Sequence, residues 1–284
     1  MIRLAVRVRR ADAELALADL LTFAPSGVEE TDISADVVEF AIYGAPGEIP
    51  ELPDLEAAAG GALVEIRTTE VADDWSERWR AFHQPILVGG RLHVRPPWCP
   101  PHAAAPGEPP VRELVIDPGQ AFGTGAHDTT RLCLELLLGL ADDPMVERGA
   151  VVDVGCGSGV LAIAAVALGW GPAVGVDHDP ASVQATRENA AVNGVAVAAH
   201  RHDLVYDGPS PHAPLVLANL LRPLLLRVAQ EGFAQDRVPD RLIASGLLRA
   251  EADEVADAFA QRLGLVEADR REGGEWAALL LQRA

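Results

Sequence analysis

The chain has 284 residues, 49% hydrophobic and only 5% aromatic, with 42 acidic against 23 basic side chains and a formal net charge of −19. This composition describes a folded globular protein long enough for two domains and excludes a disordered chain. The acidic excess speaks against binding a nucleic-acid backbone, which draws its affinity from basic side chains, and favours a basic or neutral partner. Every basic side chain is an arginine, so no lysine general base is available.

Taken in chain order, residues 2–8 alternate as a strand, 12–23 carry leucines at mixed spacing consistent with a helix, 27–33 and 37–43 are short extended runs, 52–59 is a second helix candidate, and 62–71 alternates again. This β-α-β-β-α-β order predicts a small ferredoxin-like α+β domain over residues 1–72. Residues 73–110 read as a linker. They open with Trp75, Trp79 and Phe82 on one helical face, the pattern of a packed joint between domains. A hairpin signal over 86–94, centred on Gly89 and Gly90, and a proline-rich loop over 96–110 follow.

Cys99, Cys133 and Cys156 lie far apart with no CxxC pair, which suits a reducing cytosol and gives no metal-ligand spacing, so no metal site is expected. The N-terminus runs into an amphipathic segment instead of a signal-peptide core. The charge-free stretch 154–176 is broken by glycines and Pro172, so no membrane segment is expected and a cytoplasmic location follows.

The densest chemistry lies further on. An apolar strand over 151–154 runs into Gly155, Gly157 and Gly159 and then a helix starting near Ser158. A glycine-rich turn from a buried strand into a helix N-terminus lets a ligand approach the backbone. The spacing is GxGxG, and Val160 stands where a dinucleotide fingerprint needs its third glycine, which disfavours nicotinamide and flavin cofactors. The next strand, 173–176, ends at Asp177, where a carboxylate can accept hydrogen bonds from both hydroxyls of a ribose. A third strand, 195–202, leads to Asp203, in position to face an adenine amino group, and a fourth, 214–218, ends at Asn219. A helix from Pro223, a strand over 241–245, a helix over 250–263 and paired strands at 266–270 and 275–281 complete the alternation. Such alternation predicts a doubly wound parallel sheet with its ligand at the carboxyl ends of the strands.

The segment DPGQAFGTGAHDTTRLCLELL, beginning at Asp117, resembles the DPGxAFGTGxHxTTxLCL signature of the ribosomal protein methyltransferase family PrmA, whose members modify large-subunit ribosomal protein eleven. VDVGCGSGVLAIAA resembles that family's first methyltransferase motif, ANLL at 218–221 its fourth, and the N-terminal module with its tryptophan-bearing joint matches its layout. The resemblance implies a class I, Rossmann-like methyltransferase domain over 111–284 ending in an antiparallel hairpin, with S-adenosyl-L-methionine as cofactor. It also implies that Thr130, Gly155, Asp177 and Asn219 hold the cofactor. We expect Gly157, Asp203, and Phe122 and Thr124 of the signature loop to join them, with Thr129 and Thr130 opening the following helix. Asn219 is the candidate catalytic residue, touching the methionine part or the incoming amine. The chain departs from the family pattern at Asp128, where proline is usual, and at Arg222, where a small residue is usual.

The implied reaction is transfer of methyl groups to lysine and N-terminal amines of a basic ribosomal protein substrate, which the N-terminal module would grip. Direct nucleic-acid binding is not expected, since Asn219 is followed by Leu220 and Leu221 and not by the Pro-Pro-aromatic run that stacks a flipped base. The alternatives are a methyltransferase acting on another protein or a small molecule, a nicotinamide-dependent oxidoreductase, and a binding module without catalysis.

Overall fold

A computed structural model of the chain describes residues 2–10, 13, 29–34, 36–44, 63–70, 84–103, 107, 109–118 and 127–284. The chain divides into two compact units, Met1–Phe82 and His83–Ala284. The two helices expected in the N-terminal module and the tryptophan stripe of the linker fall outside the described residues.

In the first unit, β1 (Ile2–Arg9), β2 (Glu29–Asp32), β3 (Val37–Gly44) and β4 (Leu63–Glu70) form an antiparallel sheet in the order β2-β3-β1-β4. Strand alternation sorts its residues into two faces. Leu4, Val6 and Val8 pair with Ile42, Phe40 and Val38 and are all buried. The opposite face carries an ion ladder in which Arg3 and Arg7 both reach Glu39, at 2.6 and 2.7 Å, and Arg7 also reaches Glu65 at 2.8 Å.

The second unit starts with β5 (Ile86–Val88) and β6 (Leu92–Arg95), an antiparallel hairpin whose turn holds Gly89 and Gly90 at φ +56° and +66°. β7 (Arg112–Val115), which the sequence did not suggest, pairs parallel to β6. Leu92, Val94 and Leu114 of this three-stranded sheet are buried in one core with Leu132, Leu136 and Ile163, so the hairpin is part of the second unit's body.

The central sheet has seven strands in the order β10-β9-β8-β11-β12-β14-β13. The strands are β8 (Val151–Val154), β9 (Ala173–Asp177), β10 (Val197–Arg201), β11 (Leu215–Asn219), β12 (Arg241–Leu248), β13 (Leu265–Gly273) and β14 (Trp276–Arg283). The first five in that order run parallel, and β14 joins β12 and β13 antiparallel. The helices are α1 (Asp128–Asp142), α2 (Val160–Ala167), α3 (Pro180–Val192), α4 (Arg222–Glu231) and α5 (Ala252–Leu263). Separate cores on the two sides of the sheet, one including Leu132 and Ile163 and the other Leu225 and Phe259, make it a Rossmann-like layered fold. The strand order steps outward in both directions from β8 and β11, so the crevice at a topological switch point opens beyond Val154 and Asn219. No helix among the described residues is long and apolar enough to cross a membrane.

Candidate active site

The loop after β8 is built by its glycines. Gly155, Gly157 and Gly159 have φ of +72°, +52° and +80°, values that side-chain-bearing residues rarely adopt. A Cβ on Gly155 would also overlap the Leu220 side chain, and one on Gly159 would come within 2.9 Å of Thr186. The N–H groups of Gly155 and Cys156 both donate to the Val176 carbonyl, which ties the loop to the tip of β9.

Asp177, 7% exposed, closes this arrangement. One carboxylate oxygen accepts the Gly157 N–H at 3.0 Å and the other the Asp179 N–H at 3.0 Å. Oδ1 also lies 3.2 Å from Nδ1 of the exposed His178, while Oδ2 keeps a second lone pair for a further donor such as a hydroxyl. Its main-chain carbonyl accepts the His202 N–H, which places the end of β10 beside it. Asp203 follows there, and its carboxylate accepts the Val205 N–H at 2.8 Å to form a local turn.

Asn219, at the tip of β11, meets the start of α1. Its Nδ2 donates to the hydroxyls of Thr129 and Thr130 at 3.2 and 3.4 Å, and its Oδ1 accepts no hydrogen bond from the described residues. Both threonines are buried. They stand in the first turn of the helix, as expected, and His127 is its cap, with Nδ1 accepting the Thr129 N–H at 3.3 Å. A histidine acceptor was missed because the sequence signal for a cap favours Ser, Thr, Asp or Asn. Burial pushes the His127 imidazole below its usual pKa against the pull of Asp128, so at neutral pH it is an uncharged acceptor. The Thr129 hydroxyl lies 2.8 Å from the same nitrogen, so a chain of bonds runs from Asn219 through Thr129 to His127, whose ring stands edge-on to Trp276 with centroids 5.0 Å apart.

The structure thus brings together Gly155, Gly157 and Asp177 at one point of the sheet edge, and Asn219 and Thr130 at a second, one strand away across β8. Phe122 and Thr124 lie outside the described residues. The departures from the family pattern are both held in salt bridges. Asp128 bonds Arg131 at 3.0 Å, and Arg222 is drawn onto α5 by Glu254 at 2.8 Å and Glu251 at 3.1 Å. Sequence reasoning missed Thr186 and Asn189 of α3, which bond the glycine loop, and Asn193 at the helix's C-terminal end, which bonds the end of β7. Their signal was present as polar residues spaced three and four apart.

These residues suit S-adenosylmethionine. A glycine loop turns at the carboxyl end of β8, and a buried carboxylate with an acceptor position free on Oδ2 stands beside it at the tip of the next strand. A sequence model of the family "Ribosomal protein L11 methyltransferase (PrmA)" matches residues 10–284. The chain is 41% identical over 223 residues to the ribosomal protein L11 methyltransferase of Pseudomonas paraeruginosa, covering 78% of this chain and 73% of that protein. It is 38% identical over 271 residues to that of Pseudomonas fluorescens, covering 95% and 88%. The crystal structure of a ribosomal protein L11 methylase from Lactobacillus delbrueckii subsp. bulgaricus superposes with a TM-score of 0.57 at 28% identity, covering 70% of this chain and 98% of that one. The chain therefore belongs to the ribosomal protein L11 methyltransferase (PrmA) family, whose methyl donor is S-adenosylmethionine.

Proposed function

We propose that this protein methylates lysine and N-terminal amines of ribosomal protein L11, with the cofactor held at the carboxyl edge of the central sheet. Gly155 and Gly157 would lie under it, Asp177 would accept the ribose hydroxyls, and Asp203 would face the adenine amino group. Thr130 and Asn219 would meet the methionine end, and Phe122 and Thr124 would complete the enclosure. The observation that carries this is the Gly157–Asp177 bond, which fixes a carboxylate against a glycine loop at the switch point of a parallel sheet.

When bound, S-adenosylmethionine supplies a methyl group on a sulfonium, ready for in-line displacement. The protein's part is to align the amine, exclude water and accept the amine in its neutral form. A lysine amine has a pKa of about 10.4 in water, so a desolvating site must displace its proton before reaction. Asn219 suits this step. Its amide hydrogens are engaged by the threonines, leaving Oδ1 as the acceptor that orients an incoming N–H.

The N-terminal unit would bind the substrate protein. Its strand order is that of a ferredoxin-like sheet, which supports the module proposed over residues 1–72. The linker of 73–110 and the methyltransferase domain of 111–284 complete the proposed division, and the cytoplasm, where ribosomal proteins are made, would be its location.

Mass spectrometry of purified ribosomal protein L11 after incubation with the enzyme and cofactor tests the assignment. Methyl increments on amines are expected, and Asn219→Ala should lower kcat by about tenfold to a hundredfold. Residues 83–284 alone should bind cofactor and fail to modify the protein. Unmodified L11, or full turnover by Asn219→Ala, would overturn the corresponding claim.

A further inference from the structure

Helix α3 turns a polar stripe toward the body of the unit. Thr186, Asn189 and Asn193 follow one another at spacings of three and four and so share a face. Thr186 donates to the Gly157 carbonyl at 3.0 Å. Asn189 donates to the Ser158 carbonyl at 2.9 Å, donates to the Asp117 carbonyl at 3.1 Å and accepts the Asp117 N–H at 2.9 Å. Asn193 treats Val115 in the same way, donating to its carbonyl at 2.7 Å and accepting its N–H at 2.8 Å.

Two asparagine amides thus pair with alternate residues of the extended 115–117 segment as a neighbouring strand would. Asn189, 2% exposed, uses both of its donor hydrogens and its acceptor. Its side chain is the one in this stripe that bonds both the glycine loop and the segment that runs into the signature loop. Buried amides give little net stability compared with apolar packing, so a fully satisfied pair at this junction points to a geometric role.

We propose that Asn189 is a positioning residue for methyl-donor binding. It ties the glycine loop to Asp117, so that the loop presents one fixed backbone conformation to the cofactor. This rests on the glycine loop being the cofactor site.

The test compares Asn189→Asp with Asn193→Asp in the full chain. Each keeps the acceptor for a main-chain N–H and loses its donors, but only the first severs the glycine loop. Both should lower the thermal midpoint, while Asn189→Asp alone should raise KM for S-adenosylmethionine by about tenfold or more with kcat within about threefold of wild type. Equal KM values in the two variants would overturn the proposal, since a merely structural residue lowers the midpoint without that split. Asp177→Ala separates the two levels of the claim. If it raises KM and Asn189→Asp does not, the clamp alone falls. If Asp177→Ala leaves KM unchanged, the cofactor-loop assignment falls and takes the clamp with it. Should Asn189→Asp not fold, hydrogen exchange on the wild-type enzyme decides. S-adenosylhomocysteine should slow the amides of Val115 and Asp117 together with those of the glycine loop, and slowing of the loop alone would overturn the coupling.

Discussion

Each unit of the molecule buries a carboxylate in a strand, and the two surroundings treat it in opposite ways. In β3, Glu39 is 5% exposed, and although burial raises its pKa, the guanidiniums of Arg3 and Arg7 hold it below the ordinary carboxylate value. In β8, Asp153 is 1% exposed and accepts the Ala162 N–H at 3.0 Å, and no cation among the described residues reaches it. Burial dominates there. The Ala162 N–H pulls the pKa down, the charge of Asp177 adds to the rise, and the carboxyl reaches about 7. The N-terminal sheet uses charge pairing to secure its own shape. The second unit carries a buried acid with no cation partner among the described residues, on the strand that leads into the glycine loop, and it offers main-chain N–H groups to this carboxylate and to Asp177.

The largest consequence of that difference is a pH dependence of opposite sign in the two units. Asp153 holds its proton in the folded state up to about pH 7, whereas the unfolded chain releases it near pH 4. Folding of the catalytic unit therefore takes up a proton between those values, and its stability falls as pH rises through the window, by an amount on the order of 4 kcal/mol. Asp153→Asn imitates the protonated form and still offers an oxygen to Ala162. Thermal midpoints measured from about pH 5 to pH 8 should fall in the wild type and stay level in the variant. Parallel curves would mean that Asp153 is ionised throughout.

Asp177 sharpens the contrast from the side of ligand binding. Its main-chain partners are N–H donors and its Oδ2 keeps a lone pair to spare, so removing the side chain should cost cofactor affinity more than fold. Asp177→Ala should weaken S-adenosylhomocysteine binding by roughly 1.5 to 3 kcal/mol, the loss of charged hydrogen bonds. Isothermal titration reads this directly, and an unchanged dissociation constant would detach Asp177 from the nucleoside.

How much of this was legible in the sequence follows the same physics. The alternation of strands and helices after residue 150 was readable because buried parallel strands leave apolar runs and glycine turns punctuate them. The Asp177 and Asn219 positions followed from strand ends alone. β7 was not readable, since four residues behind a proline-rich loop carry no periodicity of their own and pair only through β6. The bonding face of α3 was passed over for a related reason: its buried residues mix Val183 and Ala190 with Ser182, Thr186 and Asn189, so the usual search for an apolar stripe attends to the wrong half. The partners of Arg222 were not readable either, since Glu251 and Glu254 lie about thirty residues away, at and just before the start of α5, and no local pattern encodes such a contact.

The smallest expected effect belongs to Glu39, and it carries the opposite sign. Because its folded pKa is lowered, its pairing with Arg3 and Arg7 contributes fully above the unfolded value and is lost as pH falls through the folded one. Glu39→Gln should therefore destabilise the N-terminal sheet by about 1 kcal/mol near pH 7, a gap that closes only as acid drives the pH below the lowered folded pKa and protonates the wild-type carboxyl as well. The amide signals of Val38 and Phe40, followed by NMR through a urea titration at neutral pH and at a pH below that folded value, isolate this unit from the catalytic one. A gap of equal size at both pH values would assign the effect to packing of the side chain and leave the arginine pairing without energetic weight. A gap confined to neutral pH, together with the falling curve of the catalytic unit, would show one chain whose two sheets gain stability at opposite ends of the acid range.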